Sequence, residues 1–291
     1  MKYKAELVVD AKCSLGEGPV WAPSWQQVLW IDYDEGTLHD YYLSSGIHRI
    51  RKLPMRIASF ALRESGGLLI AGERGLALYN PEDGKLDLFC DPESHLPQNR
   101  FNDGKCDPKG RFFAGTASKG NKREGALYVF YPDGSYKQLD AGIGCSNGIT
   151  WSIDEKTMYY IDSLAYRVDA FDYDMETGLV AGKRTVISYP GTEILPDGMT
   201  SDVEGMIWVA EWGGWKVSRW NPATGERLAV VELPVKYVTS CVFGGKDMDE
   251  LYITSASSPL SEDAHAEQPS AGGLFRAKIG IKGRPTYLFR G

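Results

Sequence analysis

Long apolar runs are missing from this 291-residue chain. Nothing approaches the roughly 18 consecutive apolar residues that a membrane-crossing helix needs. The first residues, MKYKAELVVDAKC, also lack the apolar core of a secretory signal. The expectation is a cytoplasmic protein without a membrane partner. Basic blocks are equally absent: 32 Lys and Arg are scattered among 39 Asp and Glu, for a net charge of −7. Neither nucleic acid nor an anionic surface is therefore expected to bind. Cysteine is scarce, with five widely spaced residues (Cys13, Cys90, Cys106, Cys145, Cys241) and no C-x-x-C pair. Reduced, mostly buried thiols follow, not a disulfide framework. Two catalytic signatures are lacking as well: the Walker loop and H-E-x-x-H.

What the chain does have is glycine, proline and aromatic side chains: 33 Gly, 15 Pro and 12% Phe, Trp and Tyr. This composition favours many short strands joined by tight turns. The strands repeat. Six apolar runs share one grammar: VLWID at 28, LLIAG at 68, FFAGT at 112, MYYIDS at 158, MIWVAE at 206 and LYITSA at 251. Each is preceded by a polar-to-apolar strand and followed by a third strand such as TLHDYYL, ALYVFYP or KVSRWNP. Six units of about four strands, at a period in the forties, predict an all-β, six-bladed β-propeller. Residues 1–291 form one domain in this reading. The opening strand AELVVDA is expected to pair with the last blade and so remove a free sheet edge.

Aligning the blades places Glu17, Ser59, Asn102, Asn147, Asp197 and Ser240 at matching starts of the innermost strands, with gaps of 42, 43, 45, 50 and 43 residues. From each, the next apolar run lies 9 to 11 residues on. Matching inner positions ring a propeller's channel, and every one of these side chains carries an oxygen. Bare carboxylates and amides converging on one axis are costly, because like charges repel and buried polar groups lose solvation. A cation relieves that cost. The four histidines (His39, His48, His95, His265) and the cysteines fall outside the ring, so an all-oxygen set favours Ca²⁺, Mg²⁺ or Mn²⁺ over a thiolate or imidazole zinc site. A water-filled polar channel with ordinary Asn-Gly and Asp-Gly turns accounts for the same residues. Within LPDGMTSDVEG, Pro196-Asp197-Gly198 has the composition of a turn.

Longer motifs narrow the choice. In GEGPVW (16–21), RFNDGKCDPKGRFFAGT (100–116), CSNGITWSIDEKTMYYIDS (145–163), ILPDGMTSDVEGMIWVA (194–210) and TSCVFGG (239–245), the chain resembles the regucalcin/gluconolactonase family, also called the senescence-marker-protein family. The resemblance covers nearly the whole length. It implies a six-bladed propeller that holds one divalent ion, Ca, Zn, Mn or Mg, and hydrolyses sugar lactones. Position by position, it implies Glu17, Asn147 and Asp197 as metal ligands, with Arg100 and Asn102 as substrate-binding residues.

On that reading Asp197 is the candidate general base, a carboxylate at the metal's edge able to take the proton of water. Arg100 can offer parallel donors, and Asn102 both a donor and an acceptor. Asp103 is expected to turn to the other strand face by alternation and to be structural. Trp212 and Trp215 fit either a sugar-stacking wall or blade packing. Where the family has an acidic substrate contact, this chain has ASKGNKREG (117–125), shorter and basic. Glu124 either replaces that contact or faces solvent, the latter being favoured. Residues 255–273 read as a long polar rim loop. The expected partner is a small sugar lactone, and the protein a monomer or weak homo-oligomer. The alternatives are a metal-dependent organophosphate or aryl-ester hydrolase and a non-catalytic calcium-binding propeller.

Overall fold

The computed structural model describes residues 1–120, 122–191 and 193–291. Each apolar run forms the second strand of a blade, and these strands are buried on both faces. In Gln27–Asp32, for example, Val28, Leu29, Trp30 and Ile31 are all buried. This explains why the runs do not alternate: both sides of the strand face a neighbouring blade rather than water.

Six sheets result. Blades 1 to 4 are meanders of four strands spanning residues 16–52, 57–90, 99–143 and 146–188, and blade 5 spans 195–232. Blade 6 takes its three inner strands from Val238–Gly244, Glu250–Ser255 and Leu274–Lys278, and its outer strand from the N-terminal Glu6–Val9. Glu6 pairs with Arg276 and Leu7 with Phe275, antiparallel, so the expected closing strand is present. Lys2–Lys4 continues onto blade 5, parallel to Glu226–Glu232.

The core is divided among the joints between blades. Six apolar clusters occupy the six blade pairs, from Leu29, Ile31, Phe60 and Ile70 between blades 1 and 2 to Trp21, Val28, Tyr252 and Leu274 between blades 6 and 1. Each blade is thus glued to two neighbours, and the ring has no free face. Buried aspartates brace the turns between inner and second strands. Asp107 of DPKG accepts the backbone N–H groups of Lys109 and Arg111, the Arg111 guanidinium and the Tyr173 hydroxyl. Asp202 of SDVEG does the same for Glu204, Met206, Trp208 and Arg219.

The chain's last residues cross one end of the channel. The N–H groups of Gly283, Arg284, Phe289 and Arg290 donate in turn to Met248, Ser201, Leu62 and Gly110. The tail thereby touches blades 6, 5, 2 and 3, and Arg284 Nη1 adds blade 4 through Trp151 O (2.9 Å) and Ser152 O (2.7 Å). All five cysteines are free. The polar insertion at 255–273 contains a short helix, Glu262–Glu267, capped by the Ser261 hydroxyl. Among the described residues no helix is long and apolar enough to cross a membrane.

Candidate functional site

Every innermost strand carries an irregularity near its start. Pairing with the second strand shifts between Glu17 and Val20, Ile57 and Ser59, Phe101 and Gly104, Ser146 and Ile149, Pro196 and Met199, and Val238 and Ser240. Bulges of this kind re-aim side chains. Pro196-Asp197-Gly198 is accordingly not a turn; it lies inside strand Leu195–Ser201. The six aligned positions are also not strictly equivalent. Glu17 is the last paired residue before its bulge, Asn102, Asn147 and Asp197 open theirs, and Ser59 and Ser240 follow theirs.

The offset sorts five of the six by depth; Asp197, buried, lines neither cavity. Glu17, Asn102 and Asn147 line a small pocket of about 240 Å³ together with Leu15, Tyr33, Ala58, Arg100 and Asp103. Ser59 and Ser240 line a larger chamber of about 820 Å³, which is bounded by Arg284, Pro285, Thr286 and Tyr287 of the tail.

Asp103 corrects the expectation from alternation. Two residues, Asn102 and Asp103, are unpaired in their bulge, so both side chains reach the channel. In blades 4 and 5 the same place holds Gly148 and Gly198. A Cβ there would lie 2.7 Å from Met199 N and 2.0 Å from Ser240 Oγ respectively, because the next blade's strand presses close. Blade 3 leaves room for a carboxylate.

Segments leading into the site are held from behind. Asp32, closing VLWID, accepts the N–H groups of Ser14 and Leu15 just before Glu17. Asp162, closing MYYID, accepts those of Gly144 and Cys145 just before Asn147 and pairs with Arg123 at 2.8 Å. The Asn147 amide donates through Nδ2 to Ser163 Oγ at 2.9 Å. Its Oδ1 is buried without a hydrogen-bond partner, and so is Oδ1 of Asp197.

The electrostatics are unresolved by the protein itself. Burial, the Glu17 carboxyl and then the Asp103 carboxyl push Asp197 far above the ordinary carboxylate range, only partly offset by the Gly198 N–H and the Asn147 amide. Burial and then Asp103 push Glu17 up to about 8. Burial likewise raises Asp103 and lowers Lys105, whose Nζ donates to Met199 O at 2.6 Å. Three carboxyls, Asp197 buried and Glu17 and Asp103 partly so, therefore face one lysine and one arginine. Two orphaned oxygens on an amide and a carboxylate, with a second carboxyl beside them, suit a hard divalent cation. Among the described residues no three His, Cys, Asp or Glu side chains gather into a metal cluster, so an amide oxygen belongs in any such set.

Arg100 lies over the Tyr33 ring at 4.3 Å, and its Nη1 donates to Asn102 Oδ1 (2.7 Å) and Phe101 O (3.1 Å). Asn102 Nδ2 in turn donates to Ser146 O at 2.7 Å. Asn102 is thus a brace between Arg100 and blade 4 more than an open donor and acceptor.

The loop at 117–125, of which Asn121 lies outside the described residues, does not supply an acidic contact. Glu124 is exposed, accepts from Ser118 Oγ at 3.3 Å, and lines an outer pocket with His95 and Tyr136. Trp212 packs on Tyr237, and Trp215 is exposed. Lys105, Tyr33 and Ser163 escaped the sequence reading, and Asp103 was expected to be structural. The local hint for Asp103 was its place between the aligned residue and the glycine, N-D-G, where Asn147 and Asp197 are followed directly by glycine.

Fold and channel define a six-bladed propeller with an acidic, oxygen-lined site at one end of its axis. Residues 15–257 match the SMP-30/gluconolactonase/LRE-like region, and the chain belongs to that family. It is 40% identical to regucalcin of Oryctolagus cuniculus over 296 aligned positions, covering 99% of each chain. Its fold superposes with a TM-score of 0.95 on a calcium-binding protein, regucalcin, from Agrobacterium tumefaciens, at 33% identity and covering 100% of this chain and 99% of that one. A luciferin-regenerating enzyme follows with a TM-score of 0.92 and 31% identity, covering 99% of this chain and 100% of that one.

Proposed function

We propose that the protein is a divalent-metal-dependent lactonase that opens sugar lactones to the corresponding acids. The observation that carries this reading is the pair of buried, partnerless oxygens, Asn147 Oδ1 and Asp197 Oδ1, in a channel whose carboxyls lack matching charge. Glu17, Asn147 and Asp197 would hold the cation, and the name of the Agrobacterium neighbour favours calcium among Ca, Zn, Mn and Mg. When bound, a divalent cation polarises a carbonyl and lowers the pKa of a bound water.

The chain's residues do the rest. Glu17 and Asp197 give up their protons to become ligands, because a coordinating carboxylate must be ionised. The second oxygen of Asp197 accepts the proton of the attacking water and returns it to the ring oxygen as the ester bond breaks. Arg100, fixed between Tyr33 and Asn102, keeps its remaining N–H groups for substrate hydroxyls or the carbonyl.

Acid release from D-glucono-1,5-lactone and from pentonolactones, before and after chelation, tests the assignment. Hydrolysis that chelation removes and Ca²⁺, Mn²⁺, Mg²⁺ or Zn²⁺ restores is expected. Failure of every lactone with every ion overturns it.

A further inference from the structure

Asn147 Nδ2 meets the Ser163 hydroxyl at 2.9 Å, with Cys145 Sγ at 4.0 Å and the Asp197 carboxyl also beside the amide. Ser163, at the start of the short 3-10 turn Ser163–Ala165 after the second strand of blade 4, is 3% exposed. Its Oγ donates to Pro196 O at 2.6 Å and receives Asn147 Nδ2 at 2.9 Å. The order of donation is forced. A carbonyl only accepts, so the single hydroxyl proton goes to Pro196, and Ser163 has only lone pairs to offer Asn147. The nitrogen of the amide must therefore face Ser163, which turns Oδ1 toward the channel, where it is buried and unpartnered. Pro196 immediately precedes Asp197, so the same hydroxyl also joins the strand of one candidate ligand to that of another across blades 4 and 5.

We propose that Ser163 is a positioning residue that fixes the amide of Asn147 with its oxygen toward the axis and thereby sets the channel's affinity for a divalent cation. The inference rests on the metal-site reading above but concerns a residue that touches neither cation nor substrate. Groups that orient a ligand from behind typically govern metal affinity by about 10–100-fold. Ser163→Ala removes the close acceptor that holds the nitrogen and lets the amide turn to present its NH₂, a donor that repels a cation. Ser163→Thr keeps the hydroxyl.

The test is calorimetric titration of the metal-free protein with Ca²⁺ and with Mn²⁺, alongside thermal melts without metal, for wild type, Ser163→Ala, Ser163→Thr and Asn147→Ala. Expected are a loss of affinity of about 10–100-fold in Ser163→Ala, recovery of most of it in Ser163→Thr, and near abolition in Asn147→Ala. Wild-type affinity in Ser163→Ala, with Asn147→Ala abolishing binding, overturns the positioning role and leaves the ligand set standing. Wild-type affinity in Asn147→Ala overturns the ligand set and the proposal with it. If Ser163→Ala and Ser163→Thr lose affinity equally while both melt as wild type, the hydroxyl is not the orienting group, and the proposal is likewise overturned.

Discussion

The two ends of the channel are built from the same six strands and finished in opposite ways. At the tail-closed end the charge is matched: Arg284 meets two carbonyls, Glu155 at 3.2 Å and the Tyr287 hydroxyl at 2.7 Å, while one neutral hydroxyl of that chamber, Ser59 Oγ, has no partner. At the other end Glu17, Asp103 and Asp197 crowd together, and two oxygens have no partner. Unmatched buried carboxyls cost far more than one unmatched hydroxyl, so the end where carboxyls crowd is the better candidate for a ligand. One end holds the ring closed; the other carries the candidate site.

The contrast is broken most severely at Asp197. Asp197→Asn is expected to lower lactone hydrolysis by roughly 10²–10⁴-fold, the usual worth of a positioned base. A melting curve of the metal-free variant should stay level or rise, since a buried carboxyl short of counter-charge becomes a neutral amide. A collapse of the fold with unchanged specific activity would reverse the assignment of the two ends.

Proton linkage sharpens the same contrast. The folded, metal-free protein holds protons on Glu17 up to about pH 8, whereas an unfolded chain releases that carboxyl's proton near 4.5. Folded protein binds more protons in that window, so its unfolding free energy falls as pH rises from about 4.5 to 8. A cation displaces those protons, and its affinity should climb by up to about tenfold per pH unit for each proton released. Denaturant melts across that window, with and without saturating Ca²⁺, measure both slopes. A flat apo profile would mean that the carboxyls are ionised and already neutralised.

The smallest effect is expected at the closed end. Arg284→Ala strips the partners from Trp151 O and Ser152 O and should cost about 1–3 kcal/mol in urea unfolding, as for buried groups left unpaired. Lactone hydrolysis should remain near wild type. Loss of activity without loss of stability would show that the tail belongs to the chemistry.

Much of this was legible beforehand. The six apolar runs, the closing strand and the motifs GEGPVW, SNG and PDG pointed to the ring and to one end of it. Asp103 was misread because strand alternation holds only while pairing is regular, and a bulge is a count of two residues against one on a partner strand. The spacing of 9 to 11 residues could not resolve the same one-residue offsets, which send Ser59 and Ser240 into the lower chamber. Asn102, a free amide on paper, is consumed by Arg100 and Ser146, partners in its own blade and the next.

The sequence by itself determined the blade count, the register to within a residue and the oxygen-rich character of the axis, because these follow from periodic burial and from residue type. Tertiary structure alone decided which oxygens are left without partners, which end the tail seals and which hydroxyl turns the Asn147 amide. Those depend on hydrogen bonds between one blade and the next or between a blade and the tail, as in the single proton of Ser163 that goes to Pro196 and leaves the amide oxygen facing the channel.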